Sequence, residues 1–128
     1  MKLAIETHGT GQPLVLIHGM GSAATAWQPI IPALAKQFSV VTIDLPGHGR
    51  TPYSPIQKMD PTSLAQLVLK NLKNIGIESF HLVANSLGGW VSFEIAVLNP
   101  AAVKSITALA PAGLWLTPFT SRYPGELA

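Results

Sequence analysis

The chain contains no cysteine, so neither a disulfide framework nor a thiolate metal site is open to it. It is also poor in charge, with 11% Asp, Glu, Lys and Arg against 48% apolar residues over a length of 128. That balance describes a chain able to bury a core, neither disordered nor fibrous. The eight Lys and Arg are scattered and leave a formal net charge of only +2. With no basic run and no interleaved aromatics, nothing points to a nucleic-acid partner. No apolar stretch approaches the ~18 residues of a membrane span, because Asn85 and Glu94 interrupt the most apolar region. The start, Met1-Lys2-Leu3-Ala4-Ile5-Glu6, meets charge too early for a signal-peptide core. The expectation is a cytoplasmic protein without a membrane partner.

What is present is organised around one stretch, Phe80-His81-Leu82-Val83-Ala84-Asn85-Ser86-Leu87-Gly88-Gly89-Trp90. Its first half has strand character, and its second half opens a helix, Leu87 to Leu98, that Asn99-Pro100 stops. Between them stands one serine with Ala84 and Gly88 two positions to either side. A strand reversing abruptly into a helix brings backbone close together, and only small residues clear the contact. The residue at the apex is forced into a strained conformation near the positive end of the new helix. Such a turn is close to the G-x-S-x-G nucleophile elbow, with alanine in the first glycine position.

The remaining segments fall into an alternating order. Residues 3 to 7 have the pattern of an edge strand before Gly9-Thr10-Gly11. Pro13 to Ile17 is a continuous apolar run, as in a parallel strand buried on both faces. It ends at His18-Gly19-Met20-Gly21-Ser22, after which a helix is expected roughly from Thr25 as N-cap to Lys36, with Trp27, Ile30, Ile31 and Leu34 at helical spacing; Pro29 fits its first turn, whereas Pro32 suggests a kink or a later start. Phe38 to Ile43 is the next strand and ends at Asp44. Asp44-Leu45-Pro46-Gly47-His48-Gly49-Arg50-Thr51-Pro52 must be a loop. Asp60-Pro61 reads as an N-cap and first helical position. In that helix Leu64, Leu67, Val68, Leu72 and Ile75 mark the buried face, Lys70, Asn71, Lys73 and Asn74 the wet side, and Gly76 the end. The helix from Leu87 is apolar almost all round and is expected at the centre; Val103 to Ala110 is the last strand. The series predicts an α/β fold, a parallel sheet with helices on both faces and chemistry at the carboxyl ends of its strands. His18-Gly19-Met20, Asp44, Ser86 and Pro111-Ala112-Gly113 all fall at those ends.

At this point the chain resembles the α/β-hydrolase superfamily, in its small cap-bearing members with a serine nucleophile. The resemblance rests on His18-Gly19-Met20-Gly21, Asp44-Leu45-Pro46-Gly47-His48-Gly49-Arg50 and Ala84-Asn85-Ser86-Leu87-Gly88-Gly89, in the family's order, and covers about residues 3 to 113. It implies that Ser86 is the nucleophile and that the backbone N–H groups of Met20 and Leu87 form the oxyanion hole. It further implies hydrolysis of an ester, thioester or carbon–carbon bond in a small apolar acyl or ketone substrate, with no cofactor and no metal. His18, Gly19, Trp27 and Trp90 are then the candidate substrate-binding residues, around an apolar pocket.

One more absence limits this reading. The family's histidine base and its acidic partner follow the serine in chain order, yet no histidine occurs after His81, and Glu94 and Glu126 are the only acids beyond Ser86. Glu94 lies two turns into the helix that the serine opens, and reads as a helix carboxylate. The expectation is therefore an N-terminal half: residues 1–113 belong to the hydrolase core, and 114–128 begin a cap or linker. Such a chain would be a poor hydrolase alone and would associate through the open edge of its last strand. Two other readings stand beside it. Gly19-Met20-Gly21-Ser22-Ala23-Ala24 followed by Asp44 fits a Rossmann-type dinucleotide-binding unit, and a hydrolase fold without its triad fits a non-catalytic binding protein.

Overall fold

A computed structural model describes residues 1–114. The five strands are β1 (Ala4–His8), β2 (Gln12–Ile17), β3 (Phe38–Asp44), β4 (Phe80–Asn85) and β5 (Val103–Leu109). They form one sheet in the order β1-β3-β2-β4-β5. β3, β2, β4 and β5 run parallel, and β1 lies antiparallel on the rim, Ala4 opposite Asp44 and His8 opposite Val40. The sheet is therefore mixed where an all-parallel one was the simplest expectation. The Gly9–Gly11 turn that joins β1 to β2 is too short for a parallel crossover, so β1 runs against β2 and against the β3 it pairs with.

The strand order decides between the sequence-based alternatives. After β2 and β3 pair, β4 returns to the other side of β2 instead of extending the sheet beyond β3. A Rossmann unit would place its third parallel strand beyond the second, so that alternative is set aside. The reversal opens a crevice at the carboxyl ends of β2 and β4, where ligands of such sheets bind. His18-Gly19 leaves one of these ends and Asn85-Ser86 the other.

Alternation along the strands builds two cores. Val15, Ile17, Val41, Ile43, Leu82 and Ala84 face α2 (Pro61–Asn74) and α3 (Leu87–Leu98). On the other face Leu14, Leu16 and Val40 pack against Trp27, Ile31, Leu34 and Phe38. β2 is buried on both sides, as its continuous apolar run required.

Four local expectations are corrected. The helix from Thr25 to Lys36 is absent: a 3₁₀ turn, Ala24–Trp27, and a short α1, Ile31–Leu34, stand in its place. Pro29 and Pro32 withdraw the N–H groups that a continuous helix needs, and Ala23, not Thr25, occupies the N-cap position. In α2, Asp60 caps as expected, accepting from the Ser63 N–H at 3.0 Å. Asn71, expected on the wet side, is instead buried, accepting from the Leu3 N–H at 2.9 Å and donating to the Leu67 carbonyl. Ile75, expected inside, lies past the last helical turn and is half exposed. α3 buries Leu87, Gly88, Gly89, Val91, Ser92 and Ile95, but its far end is open, with Val97 76% exposed. The helix lies on the sheet beside α2, so one face is covered and not the whole circumference.

Candidate active site

Ser86 sits between β4 and α3 with φ 51° and ψ −115°, a conformation foreign to side-chain-bearing residues. The surroundings hold it there. Its N–H donates to the Leu109 carbonyl at 3.0 Å, and its own carbonyl accepts from Ala112 at 3.0 Å and Gly89 at 2.9 Å. Two positions on, Gly88 lies against the end of β2: a Cβ there would come within 2.7 Å of the His18 carbonyl and still closer to that of Ile17. A small residue at this position is therefore a steric requirement of packing α3 onto β2. Ala84 and Gly88, singled out from sequence spacing, stand on either side of Ser86 in this turn.

The opposite wall is the turn Gly19–Ser22, closed by Ser22 N–H to the Gly19 carbonyl at 3.2 Å. Met20 at its tip is 73% exposed. Among the described residues neither the Met20 N–H nor the Leu87 N–H has a hydrogen-bond acceptor. Leu87 is the first residue of α3, where backbone donors are unpaired by construction and the helix dipole is positive. Beside the serine lies a cavity of about 240 Å³ lined by His18, Gly19, Ser22, Trp27, Asn85 and Leu109, among others. Larger hollows occur elsewhere, one of about 1140 Å³ along β1 and α2, but that one lies away from Ser86 and has none of these residues in its wall.

Of the expected binding residues, His18, Gly19 and Trp27 line this cavity. Trp90 is not in its wall; its ring instead packs on Gly113, where a Cβ would lie 2.5 Å from the indole. The indole N–H of Trp27 is buried without a partner among the described residues.

The histidines and acids are otherwise engaged. His18 is buried; its Nδ1–H donates to the Gly19 carbonyl at 2.7 Å and its Nε2 accepts from the Leu45 N–H at 3.0 Å. Burial is the main cause holding its pKa below 6.5; the nearby His48 adds to this, while the Gly19 hydrogen bond and Asp44 oppose it. His48 likewise donates through Nδ1 to the Pro46 carbonyl and accepts through Nε2 from the Gly21 N–H, both at 2.9 Å. Asp44, the acid on which the Rossmann alternative drew, has its carboxylate on the N–H groups of Ala24 (2.8 Å) and Arg50 (3.1 Å). His81 bridges Ser105 and Gln12, His8 lies by Glu6, and Glu94 accepts from Thr62. Among the described residues no histidine or carboxylate is hydrogen-bonded to the Ser86 hydroxyl, and no cluster of His, Asp and Glu suits a metal. No helix among them is long and apolar enough to cross a membrane. Trp115, Glu126 and nearly all of the 114–128 segment lie outside the described residues.

Sequence spacing did not identify Asn85 as a cavity-wall residue, nor the bonds of His48 and Asp44 to the first turn. Asn85 is adjacent to the serine and was legible in principle; the other two link segments about 20 to 27 residues apart.

Comparison with known proteins gives a consistent picture. The alpha/beta hydrolase fold family matches residues 12–125. A dihydrolipoyllysine-residue acetyltransferase component of an acetoin cleaving system from Pseudomonas putida is 41% identical over 81% of this chain and 28% of its own length. A pimeloyl-[acyl-carrier protein] methyl ester esterase of Legionella pneumophila is 38% identical over 81% of this chain and 40% of its own. Among solved structures, a marine microorganism esterase superposes with a TM-score of 0.80 at 28% identity, covering 84% of this chain and 41% of that one. The chain thus spans less than half the length of these relatives.

Proposed function

The chain belongs to the alpha/beta hydrolase family, and from that premise we propose that it carries the nucleophile half of a serine acyl-transfer site. Ser86 attacks the carbonyl of a small ester, thioester or ketone held in the cavity lined by Gly19 and Trp27. The oxyanion that develops is received by the main-chain N–H groups of Met20 and Leu87. Each such donor typically contributes a factor of ~10²–10³ in rate. The single observation that carries this reading is the conformation of Ser86. A serine held at φ 51° in a turn where Gly88 admits no Cβ is a costly arrangement that a plain connection would not need. The similarity to an esterase from Legionella pneumophila and to a marine esterase supports hydrolysis as the outcome.

The reading requires a general base, which the described residues do not present at Ser86; a polypeptide of the relatives' length has room for one. By itself the chain is then a poor catalyst, left with only the residual ~10³–10⁴ over water that binding and oxyanion stabilisation supply in a related triad system. The same observation favours a second reading, a hydrolase-fold binding protein without catalysis.

A fluorophosphonate probe, which phosphonylates serine nucleophiles, tests the assignment on this chain. Intact-mass and peptide analysis should find slow, single-site labelling at Ser86 that Ser86→Ala abolishes. Labelling at other serines, or equal labelling of the mutant, would overturn the nucleophile assignment and leave the binding protein.

A further inference from the structure

We propose that His48 is a positioning residue for this site: its neutral ring tethers the Gly19–Ser22 turn, and protonation of the ring releases it. The inference rests on the proposed role of the Met20 N–H, to which the turn gives its direction.

Beyond the bonds at Gly19, from Ser22 N–H and His18 Nδ1–H to its carbonyl, the tip of the turn has little to hold it. Gly21 has φ +76°, and a Cβ there would meet nothing within 4 Å, so no packing presses on this residue. Met20 and Gly21 are both exposed. The bond from the Gly21 N–H to His48 Nε2 ties this tip to a segment 27 residues away. The ring that accepts it is itself fixed. Its Nδ1–H is committed to the Pro46 carbonyl, and its main chain is clamped by His48 N–H to the Leu45 carbonyl and Thr51 N–H to the His48 carbonyl, each 3.0 Å.

The chemistry of the tether is one-way. Nδ1 faces a carbonyl and must carry a proton, so Nε2 can accept from Gly21 only in the neutral tautomer. A second proton would set N–H against N–H, and the tether would become a repulsion. The titratable neighbours are His18, whose ring centroid is 5.0 Å away and which also accepts a backbone N–H through Nε2, the buried Asp44 carboxylate, and Arg50, paired with Glu6. Each ring thus accepts a main-chain N–H through Nε2, and a second proton on either would break that bond.

Nuclear magnetic resonance of the ¹⁵N-labelled chain decides this without reference to Ser86. At about pH 8 the His48 ring should show the Nδ1–H tautomer, and between about pH 8 and pH 5 the Met20 and Gly21 amide signals should move with the His48 titration. His48→Phe should remove that response and speed Gly21 amide exchange about tenfold at constant pH, with the far-ultraviolet spectrum unchanged. His48→Gln, whose amide oxygen can accept, should restore slow exchange without the pH response. An Nε2–H tautomer, or Gly21 signals indifferent to both pH and His48→Phe, would overturn the proposal. Fluorophosphonate labelling of the wild-type chain runs in parallel; its failure would count against the nucleophile and leave these signals to judge His48.

Discussion

Gly19 and Ser86 face each other across the crevice between β2 and β4 so closely that a methyl group on Gly19 would lie 3.2 Å from the Ser86 Cβ. Its neighbours would be the Ser86 Cβ, whose place is set by that residue's held backbone, and the Asn85 carbonyl at 3.4 Å, so the turn would have to give by a few tenths of an ångström. At Gly88 the neighbours are the Ile17 and His18 carbonyls, which cannot yield without moving β2. Gly88→Ala, against main-chain contacts of 2.8 Å and shorter, should therefore destabilise the fold by about 1–3 kcal/mol, as overpacked cores do, while Gly19→Ala should cost less stability and slow fluorophosphonate labelling. Urea midpoints and labelling rates for the two variants check the contrast. Equal midpoints would mean that the α3–β2 contact is looser than described.

Strain at the serine is open to direct measurement. Glycine occupies positive φ freely, whereas alanine inherits the strain of Ser86. Ser86→Gly should be more stable than Ser86→Ala by about 1 kcal/mol, after allowing for the extra freedom of glycine in the unfolded chain. Both variants should fail to label. A glycine variant less stable than the alanine one would show that the conformation carries no strain.

The pH dependence of stability follows from His18. Burial lowers its pKa below the ordinary 6.5, so in the interval below 6.5 the unfolded chain binds the proton more readily than the folded one. This contribution to stability is complete above 6.5 and is lost as pH falls toward the lowered folded value. Urea midpoints should decline between about pH 7.5 and pH 5, and His18→Gln should flatten the decline. A wild-type midpoint rising on acidification would reverse the argument.

What the sequence disclosed and what it withheld divide along a physical line. The Ser86 turn, the Asp60 cap and the strand ends were legible because each is a local matter: small residues at a tight reversal, a carboxylate before a helical proline, an apolar run meeting glycine. The segment around Trp27 is legible only in part: Pro32 marks the later start of α1 at Ile31, but apolar spacing does not reveal that the residues before it form a 3₁₀ turn. Asn71 looked like a wet-side residue since its partner, the Leu3 N–H, is 68 residues away. The tether from His48 to Gly21 and the seat of Trp90 on Gly113 likewise exist only after the chain has folded. The reversal in strand order, which makes the crevice, has no local signature at all.

Asn71 supplies a further test of such long-range bonds. Replacing it by leucine keeps the volume but leaves the Leu3 N–H, accepted at 2.9 Å, without its partner. An orphaned buried donor costs about 1–3 kcal/mol, and the loss should fall on the joint between the N-terminal segment and α2. Amide exchange at Leu3 and Ala4 should accelerate more than that of β4. A uniform change across the sheet would mean that Asn71 supports the fold globally.

The outer edge of β5 has no strand partner among the described residues, and Leu109 beside it is 46% exposed. Unpaired backbone groups next to apolar side chains are a template for joining another chain. Light scattering should show association that grows with concentration, and Thr107→Lys, placing a charge on that edge, should reduce it. A concentration-independent monomer would show that the edge is already protected.

The two hydrogen bonds that join the main chain of Ser86 to the end of β5 form a mechanical linkage. Leu109 and Ala112 bracket the point where the chain leaves the sheet, and both are fastened to the serine's own peptide groups, one as acceptor and one as donor. A displacement of Ala112 cannot be absorbed by a side-chain rotation; it must stretch a bond to Ser86 or turn the peptide that carries it. The nucleophile is thus geared to the departing strand end, and force applied at Ala112 is transmitted to the seat of Ser86 within a single contact.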